Sequence, residues 1–367
     1  MQLVLVTDVA FWNRSIGSEA RVYELAHFLS SQFSLGVFFI DKDGSYKKPD
    51  IPYHISSSSD PDLQTSKKTP SSKDKSKSNL EAFGKFCQKH KPLVGIYEYL
   101  KLDEYAHIPN APQIKILDSH DLFSARTKTF RRFSRKHFIE MTEHEELERF
   151  NEFNTVVAIQ AEDIGFIKSA LGEDRALYVP FSMEYRAKTH RNKVKSIVMV
   201  GGNSPMNADG FRWFLSQIWP LVRREGISVE VCGDVCKSLP KNDKSVNLHG
   251  RVTTERLLEI YDNADIAINP VFYGGGLKIK TVEYAANGLP SVCTPEAVRG
   301  IRRTDHDPFI VASTRAEFSE GLSRLITDLD SRLQLASECE PFIDRNYSGR
   351  ETRELASYIA SSIEALS

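Results

Sequence analysis

Runs of apolar, β-rich sequence alternate with segments of helical periodicity along most of this chain. The run at 4–6 is followed by apolar residues at helical spacing between Ala20 and Leu29, and a second run covers 35–40. Alternation of this kind is typical of parallel strands joined by helices. The sequence therefore predicts the α/β class, and its start predicts a βαβ unit like that of nucleotide-binding folds.

The same alternation starts again in the second half of the chain. A polar and basic stretch at 181–195 precedes a new strand and loop that begin at Ser196. The length of 367 residues also exceeds what one hydrophobic core usually supports. We therefore predict two Rossmann-like domains, at 1–180 and 196–350, that face each other across a cleft. The stretch between them is the expected linker, and 351–367 is expected to form a helix that packs back on the first domain.

Residues 55–79 interrupt the alternation. They include nine serines, five lysines and two prolines but hardly any apolar side chain. Such a segment cannot bury enough surface to offset the entropy lost on ordering, so we predict a mobile surface insertion. Contact of its lysines with a phosphate or an anionic membrane is the alternative to a simply solvated loop.

Composition and charge exclude several classes of protein. Apolar residues make up 41% of the sequence, but no run approaches the roughly 18 to 20 apolar residues that a membrane-spanning helix needs. A net charge of −1 gives no general attraction to nucleic acid. The five cysteines are odd in number and widely spread, which favours reduced thiols. The apolar first residues lack a basic leader, so we expect a cytoplasmic protein.

The most informative stretch runs from Asn269 to Val292 and reads strand, glycine loop, helix, glycine stop, strand. Gly274, Gly275 and Gly276 allow backbone N–H groups to approach a ligand closely. The helix that follows directs its free N–H groups and the positive end of its dipole to the same point. This arrangement suits a pyrophosphate.

Lys280 and Glu283 are three residues apart and share one face at the start of that helix. The lysine is a suitable cation for phosphates, and the glutamate is able to accept hydrogen bonds from ribose hydroxyls. The alternative is an ordinary ion pair on the surface of a helix.

The stretch as a whole resembles the donor-binding motif of GT-B glycosyltransferases, above all family four and the related group 1. The signature of that motif is a glycine triplet, a lysine, and then Glu-x-x-x-x-Gly-x-Pro. Further segments resemble other parts of the same family, namely 200–214 with Gly201 and Gly202, 249–252, 8–21 with Gly17, and 117–121 with His120 and Asp121.

The resemblance implies a GT-B fold and transfer of a sugar from a nucleotide-diphosphate sugar, a UDP- or GDP-sugar, to a glycan, a lipid-linked sugar or a protein. It implies retention of configuration and no metal ion. Lys280 would hold the diphosphate, Glu283 the ribose, and His120 with Asp121 would lie at the reacting centre. The donor-site residues would also include Gly17, Gly201, Gly202, the glycines at 274–276, and Lys278. Judged by its residues alone, a histidine beside an aspartate at a strand end suits either an acid–base or a structural role.

The chain departs from the family pattern at two places. Many retaining members carry a glutamate eight residues before Glu283, where this chain has Gly275. The basic residue that many members place after the first glycine turn is also missing, since 203–206 contains none. Neutralisation of the phosphates is therefore expected to rest on Lys280, with help from Lys278 or Arg299. The identity of the sugar and the stereochemistry stay open.

A basic stretch from Arg126 to Lys136 is interleaved with phenylalanines. It suits peripheral contact with a membrane surface, and equally a solvated helix whose aromatic residues face the core. Among rival functions, a nucleotide-sugar epimerase and an inactive GT-B subunit remain open. A dinucleotide oxidoreductase is disfavoured because Gly-x-Gly-x-x-Gly is absent after Val6.

Overall fold

Two parallel β-sheets, one in each half of the chain, form the framework of the protein in a computed structural model that describes residues 1–13, 17–42, 44, 46–64, 72–136 and 139–366. The first sheet has seven strands in the order β3-β2-β1-β4-β5-β6-β7. Its strands are Leu3–Thr7 (β1), Leu35–Phe39 (β2), His54–Ser57 (β3), Val94–Glu98 (β4), Ile114–Asp118 (β5), Thr155–Ala158 (β6) and Ala176–Tyr178 (β7).

The second sheet has six strands in the order β10-β9-β8-β11-β12-β13. Its strands are Ser196–Val200 (β8), Ser228–Cys232 (β9), Val246–Gly250 (β10), Ile266–Asn269 (β11), Ser291–Cys293 (β12) and Phe309–Val311 (β13). In both sheets the order reverses direction beside the first strand, which is the point where open α/β sheets bind ligands. The predicted α/β class and the two Rossmann-like halves are confirmed.

Helices connect the strands and cover both faces of each sheet. Those of the first half are Gly17–Gln32 (α1), Ser72–His90 (α2), Phe123–Arg132 (α3), Glu143–Phe150 (α4) and Ala161–Leu171 (α5). Those of the second half are Pro205–Trp213 (α6), Trp219–Val222 (α7), Thr254–Asn263 (α8), Ile279–Ala286 (α9), Arg315–Thr327 (α10), Leu329–Ser337 (α11), Cys339–Tyr347 (α12) and Arg350–Glu364 (α13). A π-helical turn at Phe214–Ile218 joins α6 to α7.

Short polar side chains fix the starts of several helices. Ser204, Thr253 and Thr314 each accept a hydrogen bond from the backbone N–H three residues later, at the starts of α6, α8 and α10. These N-caps satisfy N–H groups that the first helical turn leaves without a partner. Ser204 caps α6 and Pro205 is the first residue of the helix, so the two residues end the glycine turn at 201–202 and set where α6 begins.

The strands carry apolar side chains on both faces because helices cover both sides of a parallel sheet. All five residues of β1 are buried, and their side chains contribute to two separate core clusters on opposite faces of the sheet. The helix at the end of the chain joins one of these clusters. Leu355 and Ile359 of α13 are buried with Leu3 and Leu25 of the first half. The chain therefore crosses back to its first domain.

The prediction of one surface insertion at 55–79 is wrong at both ends. Ile55–Ser57 belong to the edge strand β3, and α2 begins at Ser72. Ile55 is buried in the core, and hydrogen bonds hold the chain just after the strand, where Ser58 N donates to Phe39 O at 2.8 Å and Asp41 N donates to Ser58 Oγ at 3.0 Å. Residues 65–71, at the centre of the predicted insertion, lie outside the described part of the chain. Among the described residues, none of the helices is both long and apolar enough to cross a membrane.

Candidate functional site

Two adjoining cavities lie between the sheets, at the carboxyl ends of their strands. One, of about 410 Å³, is lined by residues that follow β1, β4 and β5 of the first sheet and β8 and β11 of the second. The other, of about 780 Å³, is lined by the segment after β10 and by one side of α9. Gly17, Val200, Ile279 and Lys280 line both cavities. We call them the inner cavity and the outer cavity.

The glycine loop lies in the inner cavity, against the first domain. Gly274 and Gly276 have positive φ angles of 151° and 67°. At Gly275 the constraint is spatial, since a Cβ atom there would overlap with Arg126 Nε and Asp121 Oδ2. A larger residue at 275 would therefore have to displace side chains of the facing domain.

Lys278 and Arg299 hold the glycine loop by hydrogen bonds to its carbonyl oxygens. Lys278 Nζ is 2.8 Å from Glu296 Oε1 and donates to Gly276 O at 3.0 Å. Arg299 donates to Gly274 O at 2.9 Å and lies 3.4 Å from the same glutamate. Burial lowers the pKa of Lys278 from its usual value, although Glu296 opposes that shift. Lys278 lines the inner cavity, but Glu296 and the loop carbonyls already take up its positive charge.

Lys280 and Glu283 form an ion pair of 2.5 Å on the first turn of α9. Lys280 lines both cavities, while Glu283 lines the outer one and accepts a hydrogen bond of 2.9 Å from the Tyr261 hydroxyl. The predicted ion pair is therefore present, and it lies in the cleft, while its role in donor binding stays a prediction. The pair stands at the junction of the cavities, beside the amino end of α9.

His120 is buried at the end of β5 and is fixed from two sides. Its Nε2 lies 2.6 Å from Glu98 Oε2, and its ring stacks on Tyr99 with centroids 3.8 Å apart. Its φ angle of 58° is left-handed, a conformation in which histidine occurs more often than most residues. Glu98 and Tyr99 were not among the predicted site residues, although their position at the carboxyl end of a buried strand indicates a ligand-binding edge of the sheet.

A carboxylate network continues behind His120. Asp118 pairs with Arg21 at 2.9 Å, and burial, followed by the negative charge of Asp118, raises the pKa of Glu98. Ligand atoms of Glu98, Asp118 and His120 all lie within 4.8 Å of one another, which is close enough for a metal ion. Arg21 already binds one of these carboxylates, so the arrangement favours an ion-pair network that orients His120.

Asp121 and Arg126 form an ion pair in the wall of the inner cavity, with Arg126 Nε 2.6 Å from Asp121 Oδ2. Asp121 is buried, and its other oxygen, Oδ1, accepts no hydrogen bond from any residue in the described part of the chain. A carboxylate oxygen in this state carries a desolvation cost that a ligand hydroxyl would offset.

The remaining predicted glycines also lie at the cleft. A Cβ on Gly17 would come within 2.9 Å of Ile279 Cδ1, so the first residue of α1 meets the first residue of α9 across the cleft. Gly201 and Gly202 follow β8 and line the inner cavity. The inner cavity thus brings together the predicted site residues except Gly274, which lines neither cavity, and Glu283, which lines only the outer one.

The basic stretch from Arg126 to Lys136 faces the second domain in part. Phe133 stacks on Tyr273 with ring centroids 4.9 Å apart, and Arg135 lies 2.7 Å from Asp209, to which the Tyr273 hydroxyl also donates. Lys128 and Arg131 pair with glutamates of their own domain. Four of the six basic side chains therefore have carboxylate partners, and membrane contact stays a prediction.

Residues 194–328, which contain the glycine loop and α9, match the model of the family described as glycosyl transferases group 1. A relative from Klebsiella pneumoniae, described as an uncharacterized 44.6 kDa protein in the cps region, is 23% identical over 158 residues. That alignment covers 40% of this chain and 41% of the relative, so the chain spans less than half of the relative's length.

Solved structures match over the whole chain. Sucrose-phosphate synthase from Thermosynechococcus elongatus has a TM-score of 0.73 at 11% identity, with full coverage of both chains. S. aureus TarM, solved with UDP and GlcNAc-glycerol among its ligands, has a TM-score of 0.72 at 10% identity and covers 98% of this chain and 99% of its own. Anabaena HepE, solved with UDP and glucose, has a TM-score of 0.70 at 12% identity, with 98% and 100% coverage.

Two facing Rossmann-like domains with a cleft between them, matched over their full length by these structures, define a GT-B protein. More particularly, the match of its second domain makes the chain similar to the group 1 glycosyltransferases, which confirms the resemblance to family four.

Proposed function

We propose that the protein transfers a sugar from a nucleoside-diphosphate sugar to a glycan or lipid-linked acceptor. The observation that carries this proposal is the position of Lys280, which stands where the two cavities meet, beside the amino end of α9. A donor bound there would have its diphosphate at the junction, its nucleoside in the outer cavity and its sugar in the inner one.

The diphosphate would be bound by α9 and by Lys280. The amino end of α9 supplies free backbone N–H groups and a positive dipole end, and the flexible glycine loop lets the phosphates approach. Lys280 would exchange its contact with Glu283 for a phosphate oxygen. This arrangement offsets the charge of the leaving diphosphate without assigning that task to a metal ion.

The nucleoside would lie in the outer cavity. Glu283 lines this cavity and would accept hydrogen bonds from the two ribose hydroxyls, while the Tyr261 hydroxyl, which donates to it at 2.9 Å, would keep its carboxylate oriented. Arg251 and Val252, in the segment after β10, line the same cavity and would contact the base. UDP is the first diphosphate to test, because two of the similar structures were solved with it.

The acceptor would enter from the first domain, beside His120. Glu98 and Tyr99 hold the ring of His120 at the wall of the inner cavity, where the sugar would be transferred. Transfer with retention is what the resemblance to family four implies. In that mechanism the leaving diphosphate assists deprotonation of the acceptor, so the protein mainly positions the reactants and stabilises charge.

The deciding experiment is calorimetric titration with UDP, GDP, ADP, CMP and NAD. We expect saturable binding of one nucleoside diphosphate and a loss of affinity of at least about tenfold, or about 1.4 kcal/mol, in Lys280→Ala. Lys241→Ala is the matched control, because Lys241 is exposed on the same domain and lines neither cavity. Unchanged affinity in Lys280→Ala, or binding of NAD alone, would overturn the proposal.

A second experiment, which uses the sugar conjugates of the diphosphate that binds, separates the rival functions. The diphosphate sugar that binds best is then incubated with candidate glycan and lipid-linked acceptors, and the products are analysed by mass spectrometry. A sugar–acceptor adduct supports transfer. Conversion of the donor to an epimer without any acceptor indicates an epimerase, and tight binding without any reaction indicates an inactive GT-B subunit.

A further inference from the structure

The first domain fills the space in front of Gly275 with the ion pair of Asp121 and Arg126. A Cβ at position 275 would overlap with atoms of both side chains. The glycine loop and this pair therefore fit each other, and the wall of the inner cavity at this point is formed by side chains from the facing domain.

The polar atoms of this wall suit a ligand with hydroxyl groups. Asp121 Oδ2 lies 2.6 Å from Arg126 Nε in an ion pair, and neither carboxylate oxygen of Asp121 accepts a hydrogen bond from the described residues. The guanidinium of Arg126 carries five N–H groups in a planar fork. The wall thus offers an acceptor beside a donor, and neighbouring hydroxyls of a sugar donate to one and accept from the other.

The charge of the wall indicates which sugars fit. The pair of Asp121 and Arg126 is neutral as a whole, and it lies against the glycine loop with Asp121 buried and Arg126 partly buried. A sugar that carries a carboxylate would bring a second negative charge beside Asp121 in a place shielded from water, where repulsion is strong. A neutral sugar meets no such penalty.

We propose that Asp121 and Arg126 together bind two neighbouring hydroxyls of a neutral donor sugar and so determine which sugar is transferred. The proposal rests on the proposed function, because it requires the donor diphosphate at the junction of the cavities. It assigns to the first domain a contact that Gly275 cannot make from the second.

The test compares the affinities for a diphosphate and for its sugar conjugates. Wild-type protein and Asp121→Asn are titrated with UDP, UDP-glucose, UDP-galactose, UDP-N-acetylglucosamine and UDP-glucuronate, or with GDP and GDP-mannose if GDP is the diphosphate bound. We expect the wild type to bind one neutral sugar conjugate at least tenfold more tightly than the diphosphate. Asp121→Asn should lose that preference and keep its affinity for the diphosphate within twofold.

Gly275→Ala provides a second variant that leaves Asp121 in the sequence. Its methyl group displaces the pair, so the sugar preference should again fall at least tenfold. Gly165→Ala is the matched control, because a Cβ at Gly165 meets nothing within 4 Å and the residue lies on α5 of the first domain. Melting temperatures of all three variants identify any that fail to fold.

The outcomes distinguish this inference from the proposed function. A wild type that binds no nucleoside diphosphate contradicts the proposed function. A wild type that binds the diphosphate but gains nothing from any neutral sugar overturns the inference alone. Retention of the sugar preference in Asp121→Asn, or tightest binding of UDP-glucuronate by the wild type, overturns it as well.

Discussion

Asp163, near the start of α5, is the residue whose titration should be visible in stability. Burial raises the pKa of its carboxyl to about 7, and the negative charges of Asp121 and Glu162 act in the same direction. A hydrogen bond from Gln160 and the positive charge of Arg299 oppose the shift. Between about pH 4 and 7 the folded protein holds a proton here that the unfolded chain releases, so stability falls as the pH rises through that range.

Asp163→Asn should remove this dependence, because the amide cannot ionise. We expect the variant to be more stable than the wild type at pH 8, by roughly 1 to 4 kcal/mol, and to differ much less at pH 4. Urea unfolding at both pH values measures the difference, with Asp174→Asn at an exposed position as the control. Equal stabilities at pH 8 would mean that the carboxyl ionises without cost.

His120 allows a substitution that separates catalysis from folding. Its left-handed backbone is tolerated by asparagine, so His120→Asn removes the ring without straining the chain. We expect turnover to fall by about 100-fold or more, since positioned acid–base groups contribute that much, while affinity for the nucleoside diphosphate stays within twofold. Parallel kcat and Kd measurements test this. A variant whose main defect is a lower melting temperature would show that His120 is structural.

Secondary-structure elements differ in how far their sequences reveal them. Buried parallel strands such as β1 and β8 are continuous apolar runs, so their position was predictable. Strand β3 has the sequence His-Ile-Ser-Ser and is held by edge hydrogen bonds, which composition does not report. The start of α2 was also missed, because the sequence of its first turns is polar.

Contacts in the candidate site between residues far apart in sequence were also not predictable. The glycine loop and the pair of Lys280 and Glu283 were predictable because spacing along one helix fixes them. The partner of Lys278 is 18 residues away at Glu296, and that of His120 is 22 residues away at Glu98. Such pairings depend on how loops meet after the sheets form, and a single sequence contains no pattern for them.

The end of α3 and the residues that follow it contact the second domain at Tyr273. The ring of Tyr273 packs on Phe130 and Phe133, and its hydroxyl donates to Asp209. Tyr273→Ala should lower stability by about 1 kcal/mol or more and open the cleft, because aromatic pairs contribute about 0.5 to 1.5 kcal/mol beyond their burial. Tyr273→Phe keeps the ring and serves as the matched variant.

Small-angle scattering and melting temperature measure this contact without any ligand. The radius of gyration should rise in Tyr273→Ala and stay near the wild-type value in Tyr273→Phe. If both variants scatter as the wild type does, the domains are held by the other contacts of the cleft, such as that between Gly17 and Ile279.

At the scale of the whole molecule, helix α13 makes the first domain depend on the end of the chain. Leu355 and Ile359 of α13 are buried in the core that β1, β2 and α1 build. Residues 1–180 alone would expose that apolar surface, so the core of the first domain is complete only with this helix. Unfolding of the first domain must therefore release α13 from it.

Leu355→Ala tests this dependence. It should destabilise the protein by about 2 to 5 kcal/mol, the usual range for a leucine removed from a packed core. Glu354→Ala is the matched control on the exposed face of the same helix. Because Leu355 belongs to the core cluster of the first domain, we expect the urea transition of that domain to shift while the nucleoside-diphosphate affinity of the folded protein stays the same. A loss of that affinity at equal stability would instead mean that α13 sets the distance between the two walls of the cleft.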